Sequence, residues 1–176
     1  MERRIPNILI TGTPGTGKST LCAEICNTYK SMEWINVGEV AKEEGLLDEN
    51  GWDETLESHV IDEDKVVDAL EGRLGDEEGG KVVEYHGCDF FPQEWFDCVF
   101  VLTTNNTTLY DRLHKRGYSG RKLESNIECE IFQTLLEEAR EAYPIEIVHA
   151  LTSDTPEDLE RNVEQICSWV QAYTNR

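Results

Sequence analysis

The chain has 176 residues, 36 acidic and 16 basic, for a formal net charge of -20 with histidine neutral. That length suits one compact domain with its own core and is short for two. The charge disfavours long-range attraction to nucleic acid or anionic membranes, so any large partner is expected to be basic. Composition is that of a soluble globular protein, with 39% hydrophobic and 30% charged residues, and no apolar run reaches the roughly 18 residues of a membrane span.

Residues 1–4 lack the apolar length of a secretory signal, and an intracellular protein is expected. Residues 7–11 form the first apolar run and read as a strand. It leads directly into Gly12-Thr13-Pro14-Gly15-Thr16-Gly17-Lys18-Ser19, which matches G-x-x-x-x-G-K-S at every position. The glycines let the backbone curl so that its N–H groups converge on phosphate oxygens. A helix over 18–30 adds the positive end of its dipole. In this pattern Lys18 reaches the β- and γ-phosphates of a nucleoside triphosphate, and the Ser19 hydroxyl ligates magnesium.

Further strands are predicted over 34–37, 81–85, 98–102 and 145–151, with helices over 38–44, 63–74, 107–116 and 123–143. Short apolar runs alternating with helical patterns are the signature of a parallel sheet covered on both faces. Thr155 can cap a last helix, with Pro156 in its first turn and Asp158 at the capping-box position. Leu159, Val163, Ile166 and Val170 then form its apolar stripe. Segments 46–59 and 75–80 fit no regular element; the first reads as a mobile insertion over a substrate site, the second as a turn. Trp52, inside the acidic insertion, reads first as local packing and second as a platform for a base. The six cysteines show neither a C-x-x-C pair nor zinc spacing, and are expected to be reduced thiols.

Glu84, at the tip of the strand over 81–85, is a second candidate magnesium ligand; the alternative is a strand-end surface glutamate. No N-K-x-D sequence is present, which points to adenine or to relaxed base choice. Arg112, His114, Lys115, Arg116, Arg121 and Lys122 cluster around Gly117 and Gly120. Arg112 and Arg116 lie four residues apart on one helix face. They are either cations that follow a migrating phosphoryl charge above a glycine-hinged flap or a solvated face.

Together with the phosphate loop, Ile35-Asn36-Val37-Gly38, Tyr85-His86-Gly87-Cys88-Asp89-Phe90-Phe91-Pro92 and Arg116-Gly117-Tyr118 closely resemble the adenylate kinase isoenzyme 6 family, over practically the whole chain. The resemblance implies an α/β fold of the P-loop NTPase type, with a five-stranded parallel sheet between helices. It implies a single nucleoside monophosphate kinase-like domain over 1–176, with an NMP-binding insertion near 37–60 and a short lid near 115–125. ATP would be held by Gly15, Thr16, Gly17, Lys18, Ser19 and Thr20, with Arg116 as the lid arginine and residues 153–155, Thr155 included, near the adenine. Gly38, Lys42 and His86 would face the acceptor, AMP by preference. Lys18, Arg112, Arg116 and His86 would form the catalytic set, although a histidine after a strand is as often structural. Magnesium would sit on Ser19 and Glu84.

The same resemblance implies ATP hydrolysis, a role in late maturation of the small ribosomal subunit, a basic ribosomal protein as partner, and residence in nucleus and cytoplasm. A monomer is expected. Two positions depart from the family pattern. Glu84 stands where aspartate is usual, one methylene further out. Lys42 stands where an arginine usually clamps the monophosphate, and a lysine lacks the bidentate fork. One lost charge-assisted bond there costs roughly 1.5–3 kcal/mol, or about 10- to 100-fold in acceptor affinity. The alternative function is an ATPase switch with little monophosphate kinase activity.

Overall fold

The computed structural model describes residues 2–54 and 58–176. Strands β1 (Ile8–Gly12), β2 (Glu33–Asn36), β5 (Lys81–Glu84), β6 (Cys98–Thr103) and β7 (Val148–Thr152) form one parallel sheet in the order β2-β5-β1-β6-β7. A central parallel strand is buried on both faces and must be apolar throughout. β1 meets that demand, since Ile8, Leu9 and Ile10 are all fully buried.

The pleat divides these residues between two cores. Leu9, Val83 and Val99 join α2 (Val37–Glu43), α3 (Glu63–Leu74) and α6 (Thr134–Ala142) on one face. Ile8, Ile10, Val82 and Phe100 join α1 (Lys18–Thr28) and α7 (Pro156–Thr174) on the other. Each large apolar side chain so buried stabilises by about 1.5–3 kcal/mol relative to exposure. The chain runs from β1 outward to β2 and β5, then crosses to β6 and β7. The reversal lies at β1, so a crevice opens at its C-terminal end, where α/β sheets bind ligands. The five-stranded fold expected from the sequence is therefore present.

The last helix starts as expected. The Thr155 side chain accepts from the Asp158 amide, and the Asp158 carboxylate accepts from the Thr155 amide, a complete capping box. Segment 75–80 is a turn between α3 and β5. The six cysteines are unpaired.

Three expectations need correction. Segment 46–59 contains regular structure: β3 (Leu47–Asp53) and β4 (Ser58–Ile61) pair antiparallel, with Trp52 opposite His59. Residues 55–57 of that segment lie outside the described residues. Apolar alternation was missing because most of this hairpin is exposed, and its Asn50-Gly51 pair lies within β3, at a register shift. The helix expected over 123–143 is two helices, α5 (Gly120–Ile131) and α6, broken where Gln133 takes a left-handed φ of 53°. The strand expected from 145 begins only at Val148, because Pro144 leads first into a 3₁₀ turn, Ile145–Ile147.

Candidate nucleotide site

Residues 12–17 connect β1 to α1 at the crevice. Gly15 and Gly17 have φ of 91° and 94°, a region that disfavours side chains. A Cβ on Gly15 would also come within 2.8 Å of Leu113 Cδ2, in α4 (Asn106–Lys115). No side chain caps α1, which begins at Lys18 with its amides toward this loop.

Lys18 Nζ donates to the carbonyls of Gly12 at 2.8 Å and Thr13 at 3.2 Å. Burial lowers its pKa to about 8, with Glu84 opposing the shift. The loop is braced from behind. Ser153 Oγ donates to the Thr16 carbonyl at 2.6 Å, and Arg112 donates to the carbonyls of Gly15, Ser153 and Asp154.

Glu84 is buried, not a surface residue. Its Oε1 accepts from Ser19 Oγ at 2.5 Å, and its Oε2 from Trp34 Nε1 at 3.0 Å and Asn36 Nδ2 at 3.2 Å. The extra methylene of glutamate thus lets one carboxylate span from α1 to β2. A hydroxyl beside a carboxylate is the donor set magnesium accepts when water and phosphate oxygens complete its shell, so Ser19 and Glu84 fit the ion.

From this cradle a cleft of about 700 Å³ runs past Glu84 to the hairpin and to α2. Gly38 and Lys42 of α2, Trp52 and His59 of the hairpin, and His86, Arg116 and Tyr118 line it, together with Thr20. The His86 ring lies 4.2 Å from that of Tyr85, tilted by 39°. Burial, reinforced by Lys18, lowers its pKa to about 4, so at neutral pH it adds no positive charge to the cleft. Trp52 packs edge-on against His59 at 5.0 Å, yet it is 53% exposed beside the cleft. A smaller cavity of about 300 Å³ lies on the other side of the loop, bounded by Gly17, Thr20, Arg116, Thr155 and Pro156.

Nearly every candidate from the sequence therefore meets around one loop. Arg112 differs from the rest in what it does. Its guanidinium is engaged by backbone carbonyls and holds the P-loop against the β7–α7 connection; it lines the smaller cavity together with Arg116, whereas Arg116 also lines the main cleft. Trp34 and Asn36 were missed as partners of Glu84, and Tyr118 as a cleft residue; Asn36 and Tyr118 lie inside motifs whose other members drew notice.

A family model described as an AAA domain matches residues 8–133. The chain is 50% identical over 173 residues to the adenylate kinase isoenzyme 6 homolog of Caenorhabditis elegans, covering 98% of this chain and 93% of that protein. It is 48% identical to the homolog of Drosophila melanogaster, covering 97% and 95%. Among solved structures, a shikimate kinase from Bacteroides thetaiotaomicron superposes with a TM-score of 0.58 at 15% identity, covering 95% of this chain and 99% of the other. A gluconokinase from Sinorhizobium meliloti gives 0.54 at 16%, covering 97% and 98%. At such identities these two share the fold.

Proposed function

The chain belongs to the adenylate kinase isoenzyme 6 family, and from that premise we propose that it moves the γ-phosphoryl group of ATP to a nucleoside monophosphate, AMP first among candidates. The observation that carries this reading is the continuity of one cleft from the Lys18 cradle, past the Ser19–Glu84 pair, to Lys42. A donor and an acceptor phosphate can lie end to end in it. Positioning and electrostatics then do most of the catalytic work, because the acceptor is already an anion and needs no strong base.

In this scheme the P-loop amides and Lys18 hold the donor phosphates, and Arg116 offsets charge on the transferring group. Lys42 holds the acceptor phosphate as a point charge. An acceptor oxygen forms the new P–O bond as the bond to the β-phosphate bridging oxygen breaks. Magnesium, when bound at Ser19 and Glu84, supplies positive charge that offsets the charge developing on the phosphate oxygens. The smaller cavity by Thr155 suits the adenine of ATP.

The test is product analysis with Mg·ATP, with and without AMP. Two ADP formed per ATP consumed, only with AMP present, supports the kinase. ADP and free phosphate in equal amounts, regardless of AMP, overturns it in favour of an ATPase switch. The open, largely exposed hairpin and a lysine in place of an arginine at the acceptor end favour that second reading. Under it, a basic small-subunit ribosomal protein binds the acidic surface during late subunit maturation, in nucleus and cytoplasm, and salt-insensitive binding or none counts against it.

A further inference from the structure

Glu84 is only 6% exposed, and among the described residues it forms no ion pair. Lys18 is turned instead to the carbonyls of Gly12 and Thr13. A buried carboxylate without a paired cation is costly, so each neutral donor around it counts. The donors divide unequally between its oxygens. Oε1 takes the Ser19 hydroxyl alone, while Oε2 takes Trp34 Nε1 at 3.0 Å and Asn36 Nδ2 at 3.2 Å.

Strand register explains the division. β2 runs parallel to β5 with Asn36 opposite Glu84 and Trp34 opposite Val82. Residues two apart on a strand share a face, so Trp34 and Asn36 reach the carboxylate from one side. Neither donor can reverse its role. An indole N–H only donates, and the Asn36 amide is oriented by its Oδ1, which accepts from the Glu39 amide at 3.1 Å. The Ser19 hydroxyl has one proton and gives it to Oε1, so its lone pairs remain free for a cation. Packing accounts poorly for Trp34 itself, because β2 is an edge strand and the residue stays 38% exposed. What its position does supply is a stiff donor at the far end of the Glu84 side chain.

We propose that Trp34 is a positioning residue for the magnesium site. With Asn36 it saturates Glu84 Oε2, and so leaves Oε1 and the Ser19 hydroxyl as the oxygens offered to the ion. Trp34 and Glu84 then act as a matched pair, in which the indole meets the carboxylate at glutamate length. The proposal rests on reading Ser19 and Glu84 as the magnesium pair.

The probe is the non-hydrolysable ATP analogue adenylyl imidodiphosphate, bound to the full chain with magnesium or in EDTA. The ratio of the two affinities, measured by calorimetry, reads the contribution of the metal. Trp34→Phe keeps an aromatic ring and removes the donor; the ratio should fall about 3- to 10-fold, while affinity in EDTA stays within about twofold of wild type. Glu84→Asp should lower the ratio too. Adding Trp34→Phe to it should cost nothing further, because a carboxylate drawn back by one methylene no longer meets the indole. The second readout is the Trp34 indole N–H, one of four tryptophan signals, assigned by its absence from the nitrogen-15 spectrum of Trp34→Phe. With analogue bound, magnesium should shift this resonance in the wild type and leave it in place in Glu84→Asp. If Glu84→Asp fails to fold, the ratio in Trp34→Phe and the wild-type resonance decide the matter. A wild-type resonance indifferent to magnesium, an unchanged ratio in Trp34→Phe, or additive losses in the double variant overturns the proposal. Equal wild-type affinity with and without magnesium overturns the metal pair instead, and a wild type that does not bind the analogue overturns the nucleotide reading.

Discussion

The two ends of the cleft are built on different principles. The cradle end grows out of the sheet: β1 is buried on both faces, Gly15 rests on Leu109 and Leu113, and Ser153 and Arg112 hold the loop by its carbonyls. The opposite end is made by α2 and a two-stranded hairpin in which Trp52 and Val60 are exposed. A two-stranded hairpin is marginal by itself. Donor phosphates would thus meet a surface fixed by the fold, while acceptor choice would depend on a few side chains on a weakly anchored element. Phosphate binding would then be the durable property of this chain and acceptor specificity the adjustable one.

The comparison can be broken most directly at the cradle. Lys18→Ala removes the cation but no core contact, and turnover of ATP should fall by about 100-fold or more, whatever the acceptor. Circular dichroism should be unchanged. Retained turnover in that variant would show the cradle to be misassigned. Glu84→Gln comes next. The amide keeps the shape but replaces one carboxylate oxygen with an NH₂ group, which must face either the Ser19 hydroxyl or the Trp34 and Asn36 donors, and it removes the negative charge. Turnover should drop roughly 10- to 100-fold, with a raised magnesium requirement and a lower melting temperature. Normal magnesium titration in Glu84→Gln would remove the carboxylate from the metal site.

At the other end, Lys42→Arg restores the bidentate fork. It should tighten AMP about 10-fold while leaving ATP hydrolysis without AMP unchanged. An unaltered KM for AMP would mean that Lys42 does not face the acceptor, and the proposed division of the cleft would need redrawing.

The same division decided what the sequence revealed. The cradle is a backbone device, so a string of residues at fixed spacing nearly specifies it, and Gly15, Lys18 and Ser19 could be placed before any coordinates. The strands β1, β5 and β6 were legible because burial on both faces imposes continuous apolar runs. The capping box of α7 was legible because its chemistry is local. The hairpin was not, since a mostly exposed ribbon carries no apolar alternation. Nor was the break at Gln133, where no glycine or proline marks the left-handed residue. The role of Arg112 depends on carbonyl partners 97, 41 and 42 residues away in sequence, and no local pattern encodes such pairings.

The smallest expected effect is the most informative about the hairpin. Trp52 packs on His59, and an aromatic pair of this kind contributes about 0.5–1.5 kcal/mol beyond area burial. Because Trp52 is more than half exposed, Trp52→Ala should cost little global stability and shift the melting temperature by a few degrees at most. If the two ends are independent, analogue affinity at the cradle should stay at the wild-type value while the KM for the acceptor rises about three- to tenfold, the scale of one base-stacking or packing contact. A Trp52→Phe variant should recover most of that loss. Equal weakening of donor and acceptor in Trp52→Ala would mean that the hairpin closes over both phosphates, and that the adjustable end of the cleft also governs the fixed one.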